Sequence, residues 1–306
     1  MMKGYAWVLL LAMTSMECFA GFDEGIKAYE KQDYTTALNE FMPLAEQGNA
    51  EAQYNLGVMF RRGNGVAQDF TKAINWYRKA ADQHNSYAMH NLAIMYESGL
   101  GVSQSDEQSI NWYRKAAELG NVRAQFNLGN LYYQGKGVVQ DFTQAVNWYR
   151  KAAEQDSVEA QNTLGTMYYH GKGVPQNHTQ AANWFRKAAE QGNVTAQYTL
   201  GTMYQLNAGV PKDYTKAFFW LSKAAEQGNP DAQTNLGVMY YEGQGRAQDY
   251  TLAAKWFRKA AEQGDSLGQL RLGKMYEKGE GVEQNSIEAV DWILKSVKQQ
   301  SATSNK

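Results

Sequence analysis

The stretch NWYRKAAE, residues 147–154, admits two opposed readings. Trp148 and Tyr149 could stack on bases while Arg150 and Lys151 hold phosphates. The same eight residues also describe a helix with one buried side and one charged side. Its recurrence decides between them. Seven tryptophans, Trp76, Trp112, Trp148, Trp184, Trp220, Trp256 and Trp292, stand 36 residues apart, and only Trp7 falls outside the series. The pairs Leu56-Gly57, Leu128-Gly129, Leu164-Gly165, Leu200-Gly201, Leu236-Gly237 and Leu272-Gly273 keep the same interval, with Leu92-Ala93 filling the gap. A motif repeated in every unit of an array belongs first to its packing.

Each unit reads as two helices. The first is expected after Asn49, Asn85, Asn121, Ser157, Asn193, Asn229 or Asp265, and the second after Asp69, Ser105, Asp141, Asn177, Asp213, Asp249 or Asn285. All these side chains can accept from the free N–H groups of a first turn. Gln108, Gln144, Gln180 and Glu288, three residues on, suit capping boxes. Gly63, Gly99, Gly135, Gly171, Gly243 and Gly279 close the first helix, and Asn207 stands in that place once. Those positions require the left-handed conformation. A second glycine two residues later gives Gly-x-Gly, whose presence in all seven units makes it a turn rather than a phosphate loop.

Within the second helix Ala145, Trp148, Tyr149, Ala152 and Ala153 follow i, i+3, i+4, i+7, i+8 spacing. Asn147, Arg150, Lys151 and Glu154 fall on the opposite side, so aromatics and cations are expected to point apart. A glutamine column, Gln53, Gln125, Gln161, Gln197, Gln233 and Gln269, with Met89 once, runs along the edge of the first-helix core stripe. It suits amide bonding to a neighbouring helix or turn.

The first twenty residues, MMKGYAWVLLLAMTSMECFA, carry Lys3, an apolar run from Tyr5 to Met13 and small residues before a cut after Ala20. They are expected to be a secretory signal. Cys18, the only cysteine, sits in a poor setting for lipidation and would leave with it. A mature chain without cysteine has no disulfide framework, cysteine-ligated metal or cysteine nucleophile. The 30 basic and 31 acidic residues balance, without the basic excess of a nucleic-acid binder. His84, His90, His170 and His178 lack metal-ligand spacing, and no nucleophile elbow is present. No enzyme activity, metal or cofactor is expected.

Helix pairs of 36 residues with Leu-Gly, a Trp-Tyr-Arg-Lys-Ala-Ala-Glu second helix and the loop Gly-Lys-Gly-Val-Pro-Gln (171–176) closely resemble the Sel1-like repeat family, a subclass of the tetratricopeptide superfamily. The resemblance covers seven units over 50–299. Residues 21–49 look like a shorter tetratricopeptide-type opening pair, with Glu40 in place of tryptophan and Pro43 expected to interrupt its helix, and 300–306 form a polar tail. The resemblance implies an all-α, right-handed superhelical solenoid of antiparallel helix pairs. It further implies an exported bacterial protein, periplasmic or secreted, that binds a protein or peptide on a concave face and serves envelope assembly or host interaction, with neither nucleic acid nor a transmembrane segment involved. The other class the resemblance offers is a cell-wall-directed hydrolase or β-lactam-binding protein like its cysteine-rich branch, whose cysteines this chain lacks.

Columns that vary between units are the candidates for partner contact. On the first helix, on a surface expected opposite the core stripe, these are Tyr54, His90, Phe126, Asn130, Tyr133, Tyr169, Tyr198 and Tyr241. Tyrosine offers rigid contact area and one hydrogen bond at low entropic cost. The same tyrosines also suit packing against the next unit. Because the tryptophan series is assigned to the core, Trp148→Ala should cost ~3–5 kcal/mol and lower the melting temperature by several degrees. A melt unchanged from wild type would refute the assignment.

Overall fold

The computed structural model describes residues 21–304, so the expected signal segment and Cys18 lie outside them. Every regular element among the described residues is a helix. Helix α1 spans 21–30, and α2 spans Tyr34–Glu46. Two helices per repeat follow, from α3 (Ala50–Arg62) and α4 (Phe70–Asp82) to α15 (Ser266–Lys278) and α16 (Ser286–Ser304). Between them run α5 (Ser86–Ser98), α6 (Asp106–Glu118), α7 (Val122–Gln134), α8 (Phe142–Glu154), α9 (Val158–His170) and α10 (His178–Glu190). The remainder are α11 (Val194–Leu206), α12 (Tyr214–Glu226), α13 (Pro230–Glu242) and α14 (Tyr250–Glu262). Consecutive helices pack as antiparallel pairs. The chain forms two compact units, one ending at Ala152 and the other beginning at Ala153.

Caps set the boundaries. Asn49 Oδ1 accepts from the Ala52 N–H at 2.8 Å, and Asp69 Oδ1 does the same for Lys72 at 2.9 Å. Gly63, at φ 75°, closes α3 and donates to the Met59 carbonyl. Asn207 takes the same left-handed conformation at φ 57°. Two local expectations fail. The capping boxes expected of Gln108, Gln144, Gln180 and Glu288 give way to bonds between helices: the cap N–H groups of Ser105, Asp141, Asn177 and Asn285 donate to the carbonyls of Tyr96, Tyr132, Tyr168 and Tyr276, and Glu288 accepts from Trp292 Nε1 at 3.1 Å. Helix α2 runs through Pro43 without interruption. The proline removes one N–H and one ladder bond, but buried Phe41, Leu44 and Ala45 anchor the turn around it. Helix α16 continues into the polar segment 300–306, as far as Ser304.

In four of the seven repeats the core is a ring lying on a glycine. Tyr77, Tyr149 and Phe257 on the second helices are 0–1% exposed. A Cβ at Gly57 would stand 2.5 Å from Tyr77 Cδ1, and one at Gly237 would stand 2.6 Å from Phe257 Cε1. Only a bare backbone lets the ring approach this closely. Ala93 opposite Tyr113 shows that one methyl can be fitted there.

Two networks tie one repeat to the next. Gln53 Nε2 donates to the Ala45 carbonyl of α2 at 3.0 Å, while its Oε1 accepts from Gln83 at 2.9 Å. The pattern recurs with Gln197, Ala189 and Gln227 and with Gln233, Ala225 and Gln263. The glutamine column is thus a buried amide ladder, and each satisfied amide avoids the cost of an unpaired polar group. Met89 and Leu119 replace both partners of one rung together.

The tryptophan, tyrosine, arginine, lysine and alanines of NWYRKAAE then each have a structural use, and one expectation is corrected. Aromatic and cation do not point apart. Lys151 Nζ folds over the Trp148 ring at 4.1 Å, and Lys79 and Lys295 cover Trp76 and Trp292 at the same distance. Positions i and i+3 are neighbours on a helix, and a cation is attracted to the indole face. The arginine reaches forward to the next repeat, as Arg78 Nη2 does to the Tyr96 hydroxyl at 2.7 Å.

Gly165→Val tests the ring-on-glycine contact, because a Cβ there would meet Phe185 Cδ1 at 2.9 Å. Overpacking of this kind costs ~1–3 kcal/mol. A lower midpoint in thermal unfolding is expected, larger than for Gly165→Ala; an equal melt for all three proteins would contradict it.

Candidate functional site

The variable first-helix columns do not lie opposite the core, as their spacing alone suggested. They flank it, each against the second-helix ring of its own repeat or a neighbouring side chain. The 3.6-residue period sets which positions share a face, whereas the neighbouring helices determine how much of that face stays open.

In the first unit, Tyr54 is half-buried with its ring 6.1 Å from Tyr77 and 6.0 Å from Tyr87. His90 is buried at 7% exposure, packs edge-on against Tyr113 at 5.7 Å, and has Nε2 3.3 Å from Asn127 Nδ2. Phe126 lies 5.6 Å from Tyr149, and Asn130 Oδ1 accepts the Tyr149 hydroxyl at 2.8 Å. Tyr133 packs edge-on against Phe142 at 5.3 Å.

In the second unit, Tyr169 stacks on the His178 ring at 4.7 Å with planes 16° apart. Its carbonyl accepts Gln176 Nε2 at 2.8 Å, a loop-to-helix bond that fixes the end of α9. Tyr169 and half-buried Tyr198 line a cavity of about 280 Å³ with Thr166, His170, Thr202 and Leu206. Tyr241 packs against Tyr250 at 5.0 Å and donates its hydroxyl to Glu280 Oε2 at 2.7 Å. All eight candidates therefore contact the repeat framework, and those of the second unit also border open volume.

The electrostatics favour neutral contact. Burial pushes the Tyr54 and Tyr198 phenols up and Tyr77 up to about 12. The bond to Glu280 raises Tyr241. These phenols keep their protons at neutral pH and serve as donors or acceptors, not as nucleophiles. His90 is pushed down to about 4, chiefly by burial, with Arg123 and Arg61 adding to it against a bond to Asn91. It is neutral at pH 7. Among the described residues no group of three or more acidic, histidine or cysteine side chains could hold a metal ion, and no helix is long and apolar enough to cross a membrane.

Sequence reading missed the glutamine partners of the ladder, whose signal is a 30-residue offset inside each 36-residue unit. It also missed the cavity beside Tyr198, since the pattern does not show how far two first helices stand apart.

Serial antiparallel helix pairs joined by a repeated amide ladder define an α/α-repeat scaffold. The Sel1 repeat model matches seven successive segments, 50–85, 86–121, 122–157, 158–193, 194–229, 230–265 and 266–301. The chain belongs to the Sel1 repeat family. It is similar to a protective antigen of uropathogenic Escherichia coli strains with an SLR fold, at 40% identity and a TM-score of 0.89. That match covers 96% of this chain and 64% of the antigen's, so this chain spans under two thirds of its length. A Sel1 repeat protein from Oxalobacter formigenes is 35% identical with a TM-score of 0.67, covering 97% of this chain and 88% of that one. Comparison with curated proteins gave no match.

Between about pH 6.5 and 4 the unfolded chain binds a proton that folded His90 refuses, so stability falls as pH drops through that window. His90→Phe should remove this contribution, about 2–3 kcal/mol. Denaturant melts of both proteins at pH 7 and pH 4 measure it; an equal acid-side loss in the two would exclude His90 as a source.

Proposed function

We propose that this Sel1-repeat scaffold binds a protein or peptide partner along its first-helix face, and that it does so outside the cytoplasm. The observation that carries the reading is the cavity of about 280 Å³ bordered by Tyr169, Tyr198, Thr166, Thr202 and Leu206. Its rim combines aromatic area, hydroxyl groups and an aliphatic side chain, Leu206, that is 68% exposed. Such a surface suits an extended segment whose backbone offers donors and acceptors and whose side chains fill shallow recesses.

Repetition supports the same choice. The second-helix arginines and the buried amides bond one repeat to the next and the lysines cover their own helix's tryptophans, whereas the first-helix columns differ from unit to unit. Variation along an otherwise uniform array gives a partner a register to read. The N-terminal sequence supports export. So does likeness to a protective antigen of uropathogenic Escherichia coli strains. The proposed role is that of a non-enzymatic binder in envelope assembly or host interaction.

Crosslinked capture from envelope and culture fluid provides the test, comparing mature wild type with Tyr169→Ala/Tyr198→Ala of matched helicity and melt. A partner retained by wild type and lost by the variant is the expected result. Equal capture by both, or sustained turnover of nitrocefin by the purified protein, would overturn the reading.

A further inference from the structure

A second cavity, of about 170 Å³, lies between α13 and α15. Val238, Tyr241, Phe257 and Met275 form its apolar lining, and Arg271 and Lys274 stand at it. Volumes near 150 Å³ accommodate a benzene-sized group, so this one suits a single side chain and not a folded surface.

The two cations are unusual within this chain. At the Arg271 position the other six units carry Asn55, Asn91, Asn127, Thr163, Thr199 and Asn235. At the Lys274 position they carry Val58, Ile94, Asn130, Thr166, Thr202 and Val238. Positive charge thus enters two columns that are otherwise neutral, in one repeat only, and on the side of α15 that faces α13.

Nearby acids do not neutralise both. Glu280 is engaged by the Tyr241 hydroxyl at 2.7 Å and by Lys278 at 3.7 Å. Glu242, the remaining carboxylate at the cavity, accepts from Gln244 Nε2. Among the described residues, Arg271 and Lys274 have neither an ion pair nor a hydrogen bond from their side chains. Two unmatched cations beside an apolar recess are complementary to a carboxylate that adjoins an apolar side chain, and a planar guanidinium suits a carboxylate in particular.

We infer that this cavity receives the C-terminus of a peptide, with the terminal carboxylate held by Arg271 and Lys274 and the last side chain seated on Val238, Tyr241 and Phe257. The inference rests on the proposed peptide-binding face and assigns one end of its ligand. An internal glutamate next to an apolar residue presents similar chemistry, so the probes must separate the two.

Three pools of fluorescein-labelled heptapeptides ending in leucine serve: randomised free acids, the same sequences as C-terminal amides, and amides with glutamate before the leucine. Fluorescence anisotropy with the full mature chain should show at least tenfold tighter binding of the free acids. Arg271→Gln/Lys274→Gln should bring the free acids to the amide level without moving the melt, because both side chains are exposed. Equal binding of acid and amide, indifference to the double substitution, or no binding of any pool overturns the inference. Binding of the glutamate amides as tightly as the free acids overturns the C-terminal assignment. Tyr169→Ala/Tyr198→Ala, measured with the same pools, keeps the two readings apart. Loss in that variant alone leaves the Tyr169/Tyr198 cavity standing and removes the carboxylate site, whereas loss in the Arg271/Lys274 variant alone keeps the carboxylate site and removes the Tyr169/Tyr198 cavity from the binding face.

Discussion

A ring on a bare backbone is the contact on which this architecture depends. Tyr77 against Gly57, Tyr149 against Gly129 and Phe185 against Gly165 set how closely the two helices of a repeat approach. That spacing places Ala145 and Ala152 at zero exposure and brings the glutamine amide within 3.0–3.1 Å of the preceding second helix. A larger residue at the glycine would disturb both, since close-packed interiors transmit such displacements. The contact recurs with Leu221 on Gly201 and Ile293 on Gly273. The requirement is therefore a flat or branched apolar group on glycine, not aromaticity itself.

The glycine turns add a second constraint. Gly245 has φ 76°, and a Cβ on it would stand 2.4 Å from the Tyr214 carbonyl oxygen of the preceding repeat. Gly281 meets Tyr250 in the same manner. Conformation and proximity coincide at one residue, which is why Asn207 replaces the first glycine of the turn while Gly209 keeps the second. At the first position only the left-handed φ is demanded, and asparagine can supply it. At the second there is no room for a side chain either.

Much of this was legible in the sequence because it is local or strictly periodic. Caps need three residues, glycine closures need one, and the 36-residue interval aligns every helix pair. Less legible were the contacts that depend on how helices meet. The Arg78–Tyr96 bond spans 18 residues and the Gln83–Gln53 bond spans 30, and each joins different elements, so the periodicity within one helix does not reveal it. The lysine over each tryptophan was within reach of i, i+3 spacing, but a two-sided picture of the helix placed it on the wrong side. Pro43 misled for the opposite reason, since a strong local rule yielded to the burial of Phe41 and Leu44. The candidate face was legible as a set of columns and illegible as a surface: His90 is enclosed and Tyr198 borders a cavity, although they occupy the same column.

That difference bears on how a repetitive scaffold acquires specificity. An array whose packing groups were all identical would present the same surface at every step and would bind a segment equally well in several registers. Specificity requires at least one unit to break the series without disturbing the ring, the ladder or the turn. The seventh unit keeps Gly273, Gln269 and Gly281 in their structural positions, while Arg271 and Lys274 replace neutral residues between them. The fifth keeps Gly201 and Gln197 while Tyr198 and Thr202 border open volume. Framework positions and the proposed recognition positions thus share the same helices but occupy different columns, so residues of the second kind can vary from repeat to repeat without altering the contacts that hold the framework together.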